Sequence, residues 1–125
     1  MASNHAAPAI VITTLGCRIA DWQQVLLGIE EEGIPCVVQA QDTGDVVYTA
    51  WLAASQSPLL VGIACDREKL IVHYKNLPSS APLFTLTYHQ NSHAQRCTGN
   101  NAARLVKGIP FRECDSSSTG EKQYE

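Results

Sequence analysis

The sequence lacks both a long hydrophobic run and a clustered basic segment, and each absence excludes a class of partner. The apolar stretch AIVITTL near the start is too short for a signal peptide or a membrane span, and no basic segment precedes it. The nine Lys and Arg residues are scattered, the net charge is −3 and the pI is near 5.7. Because nucleic-acid binding needs clustered cations, we expect a cytoplasmic protein that binds neither membranes nor nucleic acid.

Cysteine pairs of the C-x-x-C type are also missing. Such pairs mark zinc ribbons and dithiol redox sites, so neither kind of site is indicated. Most of the five cysteines lie in or beside apolar runs, where a free thiol packs as a small hydrophobic group. We expect all of them to be reduced thiols, as is usual in the cytoplasm. They are Cys17, Cys36, Cys65, Cys97 and Cys114.

Phosphate-binding loops are absent as well, since neither G-x-G-x-x-G nor G-x-x-x-x-G-K-[ST] occurs. In α/β sheets, ligands usually bind beyond the carboxyl ends of the parallel strands. The predicted strands end there in Thr13–Gly16 and in Cys65–Asp66, with one glycine and no lysine. We therefore do not expect nucleotide binding by this chain. A catalytic Cys65 with a histidine base is an alternative, but a cysteine at a strand end more often serves packing.

What is present predicts one α/β domain. A chain of 125 residues with 45% hydrophobic and 17% charged residues can close a single core. Apolar β-branched runs alternate with helical periodicity, and turn residues separate them. The predicted strands are 9–14, 34–39, 59–65, 69–74 and 83–88. The predicted helices are 20–32, 46–54 and 94–107.

The link 66–68 is too short for a parallel crossover, so the third and fourth strands should form an antiparallel pair. The expected fold is a three-layer domain over residues 9–112, with a mostly parallel sheet of about five strands and one antiparallel strand. Residues 1–8 are expected to form an N-terminal arm. Residues 113–125 lack apolar periodicity and are expected to form a flexible tail.

Histidines offer a weak metal signal. His89 and His93 are four residues apart, a spacing that places two imidazoles on one face of a helix. However, Tyr88 ends a predicted strand and Ser92 resembles a helix cap, so the pair straddles a boundary and ordinary surface histidines are favoured. His73 alternates outward on its predicted strand.

The segment GNNAARLVKG, residues 99–108, is more suggestive. Asn100 and Asn101 can cap a helix or bond to loops, and the alanines after them permit close approach of another element. A helix that docks on the sheet explains the segment without any further function.

Three consecutive acids end the first predicted helix, at Glu30, Glu31 and Glu32. A helix C-terminus disfavours each acid by roughly 0.3 to 1 kcal/mol. Helical geometry places Glu31 opposite the apolar stripe that faces the sheet, with Leu27 one turn before it and Gln24 nearby. This is either an ordinary exposed surface or a contact surface. In the second case Leu27 packs against a partner and Glu31 meets a cation or completes a metal shell, for which Mg²⁺ is suited.

Four strings resemble the small subunits of the diol and glycerol dehydratase-reactivating factors. The resemblance covers about residues 6–112, and several of the strings are long enough to be specific. They are LLGIEEEGIP (26–35), SPLLVGIACDR (57–67), VHYKNLPSSAPLFTL (72–86) and TGNNAARLVKGIPFR (98–112).

The resemblance implies a non-catalytic chaperone-like subunit whose fold is similar to part of the dehydratase medium subunit. In the family, a large ATPase subunit binds ATP or ADP and pairs with the small subunit, as a two-plus-two heterotetramer. The small subunit exchanges with the medium subunit of an adenosylcobalamin-dependent dehydratase, so that damaged cobalamin is released. This chain is too short to enclose cobalamin itself. The resemblance leaves open whether the protein, which is expected in the cytoplasm, is associated with a bacterial microcompartment.

The resemblance also implies a divalent metal, Mg²⁺ or Ca²⁺, at the junction of the large and small subunits. The matching motif is GIEEEG, in which helical geometry selects Glu31 as the metal ligand, and Gln24, Leu27 and Glu31 as the partner interface. Two alternatives stay open: a truncated dehydratase medium subunit, and a small-ligand-binding domain that uses the strand ends.

Overall fold

The computed structural model describes residues 8–114. Most of the predicted N-terminal arm, and the predicted tail beyond Cys114, lie outside the described residues. The strands are β1 (Ile10–Leu15), β2 (Cys36–Gln41), β3 (Val61–Cys65), β4 (Lys69–Tyr74) and β5 (Phe84–Thr87). The helices are α1 (Gln23–Glu31), α2 (Val46–Gln56) and α3 (Ser92–Lys107), and a 3-10 helix (Ile19–Trp22) leads into α1.

The strands form one sheet in the order β2-β1-β3-β4-β5. β1 is parallel to both β2 and β3, while β4 is antiparallel to β3 and to β5. The turn between β3 and β4 is closed by Asp66, whose Oδ1 accepts hydrogen bonds from the backbone N–H groups of Glu68 and Lys69, each at 2.7 Å. The predicted mostly parallel sheet with one antiparallel strand is confirmed.

Helices cover both faces of the sheet, because alternate residues of the central strands are apolar on both sides. α1 and α3 pack on the face that carries Ile10 and Ile12, with Trp22 fully buried beneath them. α2 packs on the opposite face, against Leu15 and Ile71. Such burial on both faces is why β1 reads as a continuous β-branched run instead of an alternating one. No helix within residues 8–114 has the length and apolarity that crossing a membrane requires.

Local signals fix most helix ends. Asp45 caps α2 by accepting a hydrogen bond from the Tyr48 N–H at 2.8 Å, and Gly33 and Gly108 follow α1 and α3 with positive φ of 79° and 69°. At the start of α3 the cap is Asn91, where the pattern predicts Ser92. Gly99 does not break this helix.

The predicted outward orientation of His73 is wrong. The side chain is fully buried on the α2 side of β4, where its Nδ1 accepts a hydrogen bond from the Tyr74 N–H at 3.0 Å. Its Nε2 lies 3.2 Å from the Ser79 carbonyl. The loop after β4 folds back over this face, held by the indole of Trp51, which donates to the Leu77 carbonyl at 3.1 Å. The alternation of residues along β4 does not show that the following loop covers this face of the strand.

The prediction that all five cysteines are reduced is wrong for one pair. Cys97 of α3 and Cys114 form a disulfide, while the other three remain free. The segment after α3 reverses and runs back along the helix, held where Asn101 Nδ2 donates to the Arg112 carbonyl at 2.9 Å. This reversal brings together two cysteines that are 17 residues apart.

Candidate docking surface on the first helix

Helices α1 and α3 meet in backbone contact at a pair of glycines. A Cβ atom at Gly28 would lie 2.2 Å from the Arg96 carbonyl oxygen, and one at Gly99 would lie 2.1 Å from the Val25 carbonyl oxygen. Neither position can therefore hold a side chain without separating the helices. The close approach places the polar side chains of α3 beside the C-terminal half of α1.

Arg96 of α3 bridges two residues on the outer edge of α1. Its Nε and Nη2 donate to Gln24 Oε1 at 3.2 and 2.9 Å, and its Nη1 pairs with Glu31 Oε2. Gln24 and Glu31, which the sequence predicts as interface residues, are thus linked through a single guanidinium group.

Asn100 holds the same carboxylate from the buried side. Its Nδ2 donates to the Gly28 carbonyl at 2.7 Å and to Glu31 Oε1 at 3.1 Å, while its Oδ1 accepts from Arg112 Nη1 at 2.6 Å. The Asn100 side chain is almost fully buried and so is its bond to the Gly28 carbonyl, whereas its bonds to Glu31 and Arg112 are only partly buried. Asn100 therefore fixes the position of Glu31 relative to both α1 and the C-terminal segment.

These contacts keep Glu31 ionised. The hydrogen bond from Asn100, followed by the hydrogen bond and charge of Arg96, lowers the pKa of the Glu31 carboxyl group. Its side chain is nevertheless 49% exposed. The result is a fixed, negatively charged carboxylate that a partner can reach.

Glu32 differs from its neighbour, because its side chain is only 13% exposed and is used within the chain. Lys107 Nζ and Arg104 Nε bind its carboxylate at 2.8 and 3.0 Å. Leu27 is half-buried and belongs to neither core cluster, whereas Leu26 packs against the main core. We refer to Gln24, Leu27 and Glu31 together as the Glu31 surface.

The structure gives no support to the catalytic site at Cys65 or to the metal site at His89 and His93. Cys65 is fully buried, and burial raises the pKa of its thiol, so it is a poor nucleophile. His93 lies on α3 but His89 precedes the helix, so the two do not share a helical face. Within residues 8–114, no three side chains of His, Cys, Asp or Glu form a group that could hold a metal ion.

Comparison with known proteins identifies the family. Residues 7–112 match the family model described as the dehydratase medium subunit. The chain belongs to the dehydratase medium subunit family. Two curated relatives of this chain are small subunits of reactivating factors. The propanediol dehydratase-reactivating factor small subunit of Citrobacter freundii is 70% identical over 93% of this chain and 100% of its own length. The diol dehydratase-reactivating factor small subunit of Klebsiella michiganensis is 64% identical over the full length of both chains.

Solved structures agree with this family assignment. A structure of diol dehydratase-reactivating factor complexed with ADP and Mg²⁺ contains a chain that is 66% identical, with a TM-score of 0.84, covering 86% of this chain and all of that one. A glycerol dehydratase reactivase is 31% identical, with a TM-score of 0.82, covering 87% of this chain and all of that one. The resemblance to reactivating factor small subunits seen in the sequence is confirmed.

The sequence pattern missed Arg96 altogether, and it singled out Asn100 without showing that Asn100 contacts Glu31. Arg96 and Asn100 lie 65 and 69 residues after Glu31 in sequence, so helical periodicity within α1 cannot show them. The available signal was the string GNNAARLVKG, in which small and amide side chains indicate close docking. Two of the three acids at the end of α1, Glu31 and Glu32, are therefore already paired with cations from α3.

The ion pairs of Glu32 predict a dependence of stability on pH. Hydrogen bonds from Lys107 and then Arg104 lower the pKa of Glu32 below its ordinary value of 4.5. Stability from this group is therefore complete above pH 4.5 and is lost as pH falls through the lowered folded-state pKa. Glu32→Gln should reduce the free energy of unfolding at pH 7 by about 0.5 to 1 kcal/mol.

Urea unfolding of wild type and Glu32→Gln from pH 7 down to pH 3 measures this effect. The difference between the two proteins should shrink below pH 4.5. Glu30→Gln is the matched control, since Glu30 is an exposed neighbour on the same helix. A Glu32→Gln difference that stays constant across this pH range would contradict the assignment.

Proposed function

We propose that this chain is the non-catalytic small subunit of a reactivating factor for an adenosylcobalamin-dependent diol or glycerol dehydratase. The observation that carries the proposal is the full-length similarity to reactivating factor small subunits, at 64% and 70% identity. The fold supports it, because the TM-score to a chain of the diol dehydratase-reactivating factor is 0.84. We place its work in the cytoplasm.

In this role the chain alternates between two states. It binds a large ATPase subunit, in a two-plus-two heterotetramer, and it leaves when that subunit grips the dehydratase medium subunit in its place. Steric conflict then opens the dehydratase, and damaged cobalamin exchanges for intact coenzyme. Membership of the dehydratase medium subunit family supports this exchange, because chains of one fold can present the same face to a common partner.

The Glu31 surface is the part of the chain that we assign to the large subunit. Glu31 supplies a fixed carboxylate, Leu27 a half-buried apolar contact outside both core clusters, and Gln24 an amide held by Arg96. A small, partly charged contact of this kind is easier to separate than a large apolar interface. Reversible release is what subunit exchange requires.

The chemistry of Glu31 fits a divalent cation, Mg²⁺ or Ca²⁺, at this junction. Each carboxylate oxygen can accept more than the one hydrogen bond that it receives from the chain, and hard cations bind carboxylate oxygens. No three candidate ligands cluster within residues 8–114, so we assign Glu31 to this chain as a ligand and the remaining ligands to the large subunit. When bound, the cation would neutralise the negative charge of Glu31 and of the ligands from the large subunit. ATP or ADP is bound only by the large subunit in this proposal.

Co-purification tests the proposal against its strongest alternative. This chain, carrying an affinity tag, is expressed together with the large subunit and with the dehydratase subunits. We expect it to retain the ATPase, in amounts that depend on nucleotide and Mg²⁺. Retention of a stable cobalamin-containing dehydratase instead would identify the chain as a truncated medium subunit, and the reactivating role would be wrong.

A further inference from the structure

The disulfide between Cys97 and Cys114 joins a buried sulfur to an exposed one. Cys97 lies within α3 and is fully buried, whereas Cys114, the last residue that the structure describes, is exposed. A small thiolate can therefore reach the Cys114 sulfur and displace Cys97. Disulfides are rare in the cytoplasm, where we place this chain, and those that occur there are usually redox-sensing or catalytic.

Asn101 gives both sulfurs a polar neighbour. Its Nδ2 donates to Cys114 Sγ at 3.2 Å and lies 3.9 Å from Cys97 Sγ. The Asn101 side chain is buried, so this donor is fixed in place. Because the leaving group in thiol–disulfide exchange is a thiolate, a hydrogen-bond donor beside it favours the reaction.

The same disulfide ties down the segment that carries Arg112. Residues 109–114 belong to no helix or strand. Asn101 holds the Arg112 backbone on both sides, accepting from its N–H at 2.6 Å and donating to its carbonyl at 2.9 Å. The Arg112 guanidinium donates to Asn100 Oδ1 at 2.6 Å, and Phe111 packs edge-on against Phe84 with ring centroids 5.3 Å apart. The segment is thus held by a few side-chain contacts and one covalent bond.

Loss of the covalent bond would reach Glu31 in two steps. Ordering a segment costs conformational entropy, which the remaining contacts of residues 109–114 would have to offset without the disulfide. When the segment detaches, Arg112 leaves the buried Asn100 Oδ1 without this donor, which favours rotation of the amide. The same amide donates to Glu31 Oε1 at 3.1 Å, so the carboxylate is then held less firmly.

We propose that the Cys97–Cys114 disulfide is a reversible exchange site for small thiols of the glutathione type, and that its reduction loosens the Glu31 surface through Arg112 and Asn100. The first thiolate bonds to Cys114 Sγ as the S–S bond breaks, and Cys97 leaves as a thiolate that takes a proton from water. A second thiol attacks the small-molecule sulfur of this mixed disulfide, and Cys114 leaves as a thiol. The protein gains two electrons and two protons, and two small thiols become one disulfide.

The reduced chain should bind the large subunit less tightly, a step that rests on the proposed function. A carboxylate that must be ordered on binding gives a lower affinity than one that is already fixed. Withdrawal of Arg112 also removes a positive charge, which would favour a cation at Glu31. However, Arg112 has the smallest effect among the groups that lower the pKa of Glu31, so the loss of position outweighs the change in charge.

The isolated full-length chain, equilibrated in mixtures of reduced and oxidised glutathione, tests exchange and release. Alkylation in denaturant followed by mass spectrometry should count three thiols in the oxidised chain and all five cysteines in the reduced one. Hydrogen exchange at the Arg112 N–H should become at least about tenfold faster on reduction, while circular dichroism shows a folded chain. Cys114→Ser should exchange fast in every mixture. Cys36→Ser is the matched control, since it removes a free thiol on β2 and should respond to reduction like wild type.

Calorimetry with the large subunit tests the link to the Glu31 surface. Reduction should raise the Kd at least about fivefold, the lower end of typical couplings between two sites. Arg112→Ala should bind like the reduced wild type, and neither it nor Cys114→Ser should respond to glutathione. Arg67→Ala, which removes an exposed arginine from the turn before β4, is the matched control and should respond like wild type.

Each step has a result that would contradict it. The same thiol count in every glutathione mixture rules out reversible exchange at this disulfide. Unchanged hydrogen exchange at Arg112 after reduction rules out release of the segment. Equal affinity of the two redox forms, or a response that persists in Cys114→Ser, rules out the link to Glu31. Failure of both forms to bind the large subunit would instead contradict the proposed function, whereas exchange and release are decided on the isolated chain alone.

Discussion

Gly99→Ala is expected to destabilise the protein by about 3 kcal/mol, although alanine is the better helix former. In an exposed helix this change would add about 1 kcal/mol of stability. Here the new Cβ atom would lie 2.1 Å from the Val25 carbonyl oxygen, a rigid backbone atom, so α1 and α3 must separate. Overpacking of this kind usually costs about 1 to 3 kcal/mol, and more where the backbone cannot yield.

Urea unfolding followed by circular dichroism measures the change. Gln23→Ala, at an exposed position on α1, is the control and should change stability by less than about 0.5 kcal/mol. Gly28→Ala should resemble Gly99→Ala, because its Cβ atom would lie 2.2 Å from the Arg96 carbonyl oxygen. The double variant should lose less than the two single losses combined, since one separation relieves both clashes. A Gly99→Ala variant more stable than wild type would contradict the backbone contact.

Glu31→Gln is expected to weaken binding to the large subunit by at least about tenfold while the isolated chain stays folded. The amide keeps the size of the side chain but removes the charge that a shared cation needs, and changes even to groups that only support a metal ligand cost about 10- to 100-fold in affinity. Within the chain, the losses are the half-exposed ion pair with Arg96 and a weaker hydrogen bond from Asn100. Exposed pairs of this kind contribute little to stability.

Calorimetry of the two subunits, with and without a chelator, separates the metal from the rest of the interface. The chelator should weaken the wild type and leave Glu31→Gln almost unchanged. Glu30→Gln removes the same charge one residue earlier and should bind like wild type in both conditions. Equal affinity of Glu31→Gln and wild type would remove Glu31 from the interface.

The order of elements could be predicted from the sequence because its signals are local. β-branched runs mark the buried strands. Asp45 begins α2 as its N-cap, and Gly108 ends α3 because glycine readily adopts the left-handed conformation. The short link before β4 requires an antiparallel pair. Element ends were less accurate. β2 was predicted to begin at residue 34 but begins at Cys36, and the first turn of the predicted first helix is a 3-10 helix.

The surroundings of the candidate site could not be predicted, because they come from distant parts of the chain. Glu31 is half-exposed, and its contacts with Arg96 and Asn100 depend on how α3 docks. That docking depends on two glycines, which carry no side-chain signal of their own. Glu31 and Glu32 therefore have an internal explanation in their ion pairs with α3, and the large subunit is expected to use the Glu31 carboxylate that the fold has already fixed.

The most direct test is reactivation of a glycerol-inactivated dehydratase. The inactive enzyme is mixed with the large subunit, ATP, Mg²⁺ and fresh adenosylcobalamin, with and without this chain, and recovery of diol dehydration is followed. We expect activity to return when the chain is present at a stoichiometric amount, together with release of the damaged cobalamin. Recovery that is the same without the chain, or absent with it, would contradict its role as the small subunit of a reactivating factor.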